Sequence, residues 1–252
     1  MLCTQKLARY KRTIMRCVIY TVIVGGYDRL IEPEGYPGWD FVCFTDAKCI
    51  GWRAKLGLSR WQVRTFDDPE LDTWRTSRLP KILPHRYLAD YDYSVYIDGN
   101  AKLKADPATF LDQINWPDFA VSTHPYRDKV FDEIEECIRQ NKAPHDVLAA
   151  QREAYHADGL PADTALLENN FLLRRHNAPA VIELMESWWM QMNTHSHRDQ
   201  LSLPYVTWKQ GFAPYVFSQN EKQTFFTTKA HYRSPWSRWK RSWQKRFPPH
   251  SS

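Results

Sequence analysis

Hydrophobic positions fall into short clusters separated by polar breaks, the rhythm of strands alternating with helices. Val18 to Val24 is one apolar run, as expected for a strand buried on both faces. Further strands are predicted from Asp40 to Thr45 and from Trp61 to Phe66. Residues 70–88 read as helical, with breaks at Pro80 and Pro84. In Tyr91–Ile97, Tyr91, Tyr93, Val95 and Ile97 share one face at period two. Asp106-Pro107 caps and opens a short helix. A strand from Phe119 to Ser122 precedes helices from Lys129 to Asn141 and from Pro144 to His156, the latter stopping at Gly159-Leu160-Pro161. Leu166 to Arg174 is a strand, and Ala178 to Asn193 a helix with Val181, Leu184, Met185, Trp188 and Trp189 on its core face. A helix begun within residues 195–202 runs to about Trp208, and strands at Tyr215–Ser218 and Phe225–Thr228 close the body. The pattern predicts an α/β fold: a Rossmann-type mixed sheet flanked by helices, one domain with a helical insertion that builds the second half of a cleft.

Polar residues collect where these strands end. Gly25-Gly26-Tyr27-Asp28 leaves the first strand and lacks the Gly-x-Gly-x-x-Gly dinucleotide fingerprint. The second ends at Asp46 and the third at Asp67-Asp68. Asp98-Gly99-Asn100 ends the fourth, at the edge where open α/β sheets bind ligands. These residues can hold a hard cation, or can form a plain β-turn. Arg75, Arg78 and Lys81 recur along one helix face, which suits a diphosphate or a solvated surface. Glu168, Asn169 and Asn170 stand in an apolar context and need partners if buried. His195 and His197 with Asp199 could bind metal, but i, i+2 spacing does not aim both histidines from one helix face, and they read as capping or solvent-facing residues. Asp199-Gln200 near a helix start can present a carboxylate and an amide to a ligand, or serve only as a first turn.

Charge is uneven. Residues 1–16 carry five cations and residues 233–252 six, with no acid in either stretch; against a formal +5 for the chain, this leaves −6 between them. A mildly acidic body argues against nucleic acid as partner. The chain divides into a basic N-terminal extension (1–16), a domain (17–233) and a basic, tryptophan-rich tail (234–252). Trp236, Trp239, Trp243 and Phe247 make one helical face in that tail, suited to an anionic membrane interface. Five cysteines (Cys3, Cys17, Cys43, Cys49 and Cys137) with no Cys-x-x-Cys pair indicate free thiols in a reducing compartment. No apolar run reaches the ~20 residues of a membrane span. Localisation is expected to be cytoplasmic, peripheral on the inner face of the membrane. The 11 Trp and 13 Tyr fit a groove that stacks bases or sugars, with ordinary core and surface packing as the alternative for most of them.

The ordered set Gly25-Gly26-Tyr27-Asp28, Phe44-Thr45-Asp46, Arg78-x-x-Lys81-x-x-Pro84-His85, Tyr96-Ile97-Asp98-Gly99-Asn100, His124-Pro125-x-Arg127-Asp128, Arg198-Asp199-Gln200-Leu201-Ser202 and Lys229-x-His231-Tyr232-Arg233 resembles a known pattern. It is that of a glycosyltransferase-like family long catalogued as a domain of unknown function, with plant Golgi and bacterial cell-surface-polysaccharide members. That family is similar to GT-A nucleotide-sugar transferases of the family 8 type. The resemblance covers residues 17–233. It implies a GT-A-like fold, a UDP or GDP sugar donor, a glycan or lipid-linked acceptor, and Mn²⁺ or Mg²⁺. By the same resemblance, Gly25, Gly26, Tyr27, Asp28 and Asp46 hold the nucleoside, and Arg78 and Lys81 meet the diphosphate. Asp98, Asn100 and His231 bind the metal, and His124, Arg127 and Asp128 face the acceptor. Asp199 and Gln200 face the transferred sugar. Asp199, backed by Glu168, is the base if the reaction inverts and the stabiliser of the cationic centre if it retains. Asn100 stands where the wider pattern has a second Asp, which weakens the metal site. It also keeps open a non-catalytic glycan-binding protein on a degenerate transferase fold. A nucleotidyltransferase is disfavoured because the first loop lacks a basic residue.

Overall fold

The structure, a computed structural model, describes residues 15–25, 28, 30–46, 52–66 and 70–228. In chain order the elements are β1 (Cys17–Ile23), β2 (Trp39–Thr45), α1 (Trp52–Lys55), β3 (Gln62–Thr65), α2 (Thr73–Ile82), α3 (Pro84–Tyr87), β4 (Tyr93–Ile97), β5 (Ala101–Leu103) and α4 (Pro107–Gln113). They continue with β6 (Phe119–Thr123), α5 (Val130–Arg139), α6 (His145–Ala157), β7 (Leu167–Arg174), α7 (Pro179–Thr194), α8 (Asp199–Lys209), β8 (Tyr215–Phe217), α9 (Gln219–Phe225) and β9 (Phe226–Thr228).

Seven strands form one sheet in the order β3-β2-β1-β4-β7-β6-β8, and β5 pairs with β9 separately. This is the expected mixed, Rossmann-like, GT-A-type architecture. β3, β2, β1 and β4 are mutually parallel, so their carboxyl ends share one edge. β7 is antiparallel to β4 and β6, which brings its first residues, Leu167 and Glu168, to that same edge.

Both faces of the sheet are covered, and the alternation along β1 shows how. Val18, Tyr20 and Val22 enter the core shared with α2 and α5–α8, whereas Cys17, Ile19 and Ile23 enter the core shared with α4, α9 and β9. Every position of β1 is therefore buried, and its sequence, apolar except for Thr21, shows no alternation. At roughly 1.5–3 kcal/mol per fully buried large aliphatic side chain, this central strand anchors the sheet. Asp106 caps α4 by accepting from the Ala108 amide at 2.9 Å. Gly159, at φ +83°, ends α6 in the left-handed conformation that favours glycine.

The structure corrects several expectations. α2 continues through Pro80 and stops at Leu83, just before Pro84. Pro80 lies in the last turn, where the missing amide costs a single helical hydrogen bond. Tyr91 precedes β4 and joins the opposite core from Tyr93, Val95 and Ile97, its hydroxyl donating to Asp40 at 2.9 Å. The helix after His195 begins only at Asp199. β5 and α9 are additional elements. α9 carries a readable signal in Ser218-x-x-Glu221, a complete capping box. Cys17, Cys43 and Cys137 are buried, and Cys3 and Cys49 lie outside the described residues.

Candidate active site

The carboxyl edge of the sheet opens into a cavity of about 440 Å³. Gly25 and Asp28 line it from the β1 side, Arg78 and Lys81 from α2, and Asp98, Glu168, Asp199 and Gln200 from the other side. Asp46 lies beneath, its carboxylate accepting from the Gly25 amide at 2.7 Å. Gly99 is needed for close approach: a Cβ there would meet Ile23 Cγ1 at 2.8 Å and Asp28 Cβ at 3.3 Å.

Lys81 is the centre of the arrangement. α2 starts with Asp72 capping the Arg75 amide at 2.9 Å, so Arg75 turns to Asp72 rather than to the cavity. Three residues on, Arg78 reaches the cavity, and Lys81 is buried at its floor. The Lys81 carbonyl accepts from the Tyr20 hydroxyl (3.1 Å) and from the buried Arg174 guanidinium (2.7 Å), which fixes the last turn of α2. Its ammonium donates to Asp199 Oδ2 at 2.6 Å and lies 3.9 Å from Asp98 Oδ1. Asp199 in turn is held by α7, where the Trp188 indole N–H donates to its carbonyl at 3.1 Å.

Burial pushes the Asp199 carboxyl up, but the Lys81 and Arg78 charges outweigh it and hold the group well below the usual carboxylate range. Asp199 is thus a poor proton acceptor. The linkage has a defined sign. A depressed folded pKa stabilises the fold above the unfolded value of about 4, and that contribution is lost as pH falls below it. We expect wild-type stability to fall by about 1.4 kcal/mol per pH unit from this group below pH ~4. An Asp199→Asn variant should lack that share, which urea midpoints measured from pH 7 to pH 3 would reveal.

Glu168 is held as tightly. It accepts from Asn170 Nδ2 at 2.7 Å and Gln219 Nε2 at 2.9 Å, and pairs with the Lys222 ammonium. At the cavity mouth the Trp74 indole, 47% exposed, stacks on the His197 ring with centroids 5.1 Å apart. His195 instead packs edge-on against Tyr155.

His124, Arg127 and Asp128 do not line the cavity, and neither does any other residue between 124 and 166. His124 Nδ1 accepts from the amides of Tyr126 and Arg127, Arg127 pairs with buried Glu133, and the Asp128 carbonyl accepts from Leu166. The helical insertion, α5 and α6, packs instead into the core behind α8. Gly26, Tyr27 and His231 lie outside the described residues. Tyr96, Trp74, Arg198 and Lys222 complete the site or its support, and no sequence signal marks Trp74. Tyr96 leads into Asp98-Gly99-Asn100, Arg198 precedes Asp199-Gln200, and Lys222 follows the capping box of α9.

The described residues do not fit a Mn²⁺ or Mg²⁺ ion. Asp98 Oδ1 accepts from the Tyr96 hydroxyl at 2.7 Å and already faces the Lys81 ammonium. Asn100 is 8% exposed and does not line the cavity. A hard divalent ion gathers several oxygens, and a lysine ammonium beside its carboxylate repels it.

Comparison with known proteins fits this geometry. Residues 6–231 match the family model described as TOD1/MUCI70, glycosyltransferase-like domain. A curated relative, the "Probable hexosyltransferase MUCI70" of Arabidopsis thaliana, is 27% identical over 193 residues, covering 70% of this chain. The match spans 33% of that relative's length. With the family match spanning the whole sheet and its polar edge, the chain belongs to the TOD1/MUCI70 glycosyltransferase-like domain family.

Proposed function

We propose that the protein transfers a sugar from a UDP- or GDP-type nucleotide sugar to a glycan or lipid-linked acceptor, in cell-surface polysaccharide synthesis. The observation that carries this is Lys81, buried between Asp199 and Asp98 and one turn along α2 from Arg78, inside the cavity at the carboxyl edge. Breaking the bond between the sugar and the diphosphate builds negative charge on the leaving phosphate. Arg78 and Lys81 are placed to stabilise that charge in a partly dry site. Gly25, Asp28 and Asp46 form the nucleoside side, and Gln200 with Asp199 the sugar side. Asp199, kept ionised, suits stabilising the positive anomeric carbon and fixing Lys81 rather than removing a proton. The acceptor proton then goes to Glu168 or to the departing diphosphate.

Among the described residues no helix is long and apolar enough to cross a membrane. Docking of the tail on an anionic bilayer belongs to this proposal, and that tail lies outside the described residues.

The test is release of nucleoside diphosphate from UDP- and GDP-hexoses, with and without glycan acceptors. Acceptor-stimulated release from one donor class is expected. If the folded protein releases and binds neither nucleotide, the reading fails and a glycan-binding role on a transferase fold takes its place.

A further inference from the structure

Resting on the transferase reading, we propose that the site takes its nucleoside diphosphate without a divalent cation, with Lys81 and Lys222 supplying the counter-charge around Asp98. Lys81 is an ammonium at the cavity floor, 3.9 Å from Asp98. Lys222 is the less expected partner. It lies on α9, remote in sequence from the polar strand ends, and is 5% exposed. Its ammonium pairs with Glu168 in the cavity wall and stands 5.2 Å from the Phe226 ring centroid. Burial lowers its pKa, and the charges of Glu168 and Asp98 oppose that shift. α9 is held in place by its capping box and by Gln219, which donates to Glu168 and to the Thr123 carbonyl.

A lysine is buried only where a partner compensates its charge. Here the partners are the carboxylates of the candidate site. Asp199 has Lys81 and Arg78, Glu168 has Lys222, and Asp98 shares the field of both lysines. A divalent ion arriving at Asp98 would meet the Lys81 ammonium at 3.9 Å, with Lys222 behind it on Glu168. A diphosphate would meet Arg78 and Lys81 across a wall whose acids are already neutralised.

Calorimetric titration of the full chain with UDP and GDP, in Mn²⁺ and in EDTA, tests this. Wild-type protein should bind one nucleotide in EDTA to within about twofold of its affinity in Mn²⁺, well under the ~1.4 kcal/mol of a tenfold change. Lys222→Met should weaken binding in EDTA by about 10- to 100-fold, because Glu168 is left as an uncompensated charge. Lys222→Arg should retain binding, which separates charge from loss of fold. Nucleotide binding that requires Mn²⁺ overturns this inference and leaves the transferase reading standing. No binding in either buffer by folded protein overturns both.

Discussion

Replacing Lys81 by Met is expected to cost about 3–5 kcal/mol of stability, because it strands the buried Asp199 charge. The same change should lower sugar transfer by roughly 10²–10³-fold, since a positioned charge on the leaving group is removed. Two observations make the stability effect large. The Lys81–Asp199 pair is 2.6 Å long, and both side chains are buried. Solvent therefore screens the contact little, unlike a surface ion pair. Arg78, at 3.7 Å from Asp199, compensates only in part. The double variant Lys81→Met with Asp199→Asn should recover most of the lost stability, because neither charge is then orphaned. It should recover none of the turnover. Urea unfolding and donor turnover on the two single variants and the double variant measure both. A Lys81→Met protein as stable as wild type would show that the pair does not hold the floor of the cavity.

Asp98→Ala, unlike Lys81→Met, should cost function with little cost to stability. Asp98 follows β4, and its side chain is 34% exposed. Its removal leaves the Tyr96 hydroxyl without that acceptor but opens no core cavity, so a stability loss of about 1 kcal/mol is expected. Transfer should fall by at least about 100-fold, because Asp98 faces both Lys81 and the cavity. Asp98→Asn sharpens the result. If Asp98 orients Lys81 and accepts donor hydroxyls, an amide oxygen keeps part of the rate. If it ligated a divalent ion, loss of its charge would leave little more than Ala does. Normal turnover in Asp98→Ala would remove this loop from the candidate site altogether.

Much of the scaffold is legible in the chain, for identifiable reasons. A strand buried on both faces is expected to be apolar nearly throughout, and Cys17–Ile23 is so except at Thr21. A helix with one buried face repeats every three to four residues, and the core positions of α7 do. Asp106-Pro107 announces α4 by local hydrogen bonding alone. Asp46, Asp98 and the Gly25 loop could be placed on one edge because parallel strands end together. Local rules also account for α9, although its capping box was the only sign of it.

The pairings that define the site have no such signature. Lys81 meets Asp199 across 118 residues, and Lys222 meets Glu168 across 54. Glu168 reaches the ligand edge only because β7 runs antiparallel between β4 and β6, a choice its own residues do not encode. The same assembly left His124, Arg127 and Asp128 out of the cavity lining and gave Asp98 the Lys81 ammonium as a neighbour. Periodicity and capping are properties of neighbouring residues, so the sequence by itself determined the elements and the polar edge. Charge compensation in a buried site depends on which distant groups are desolvated together, and only the tertiary structure decided that.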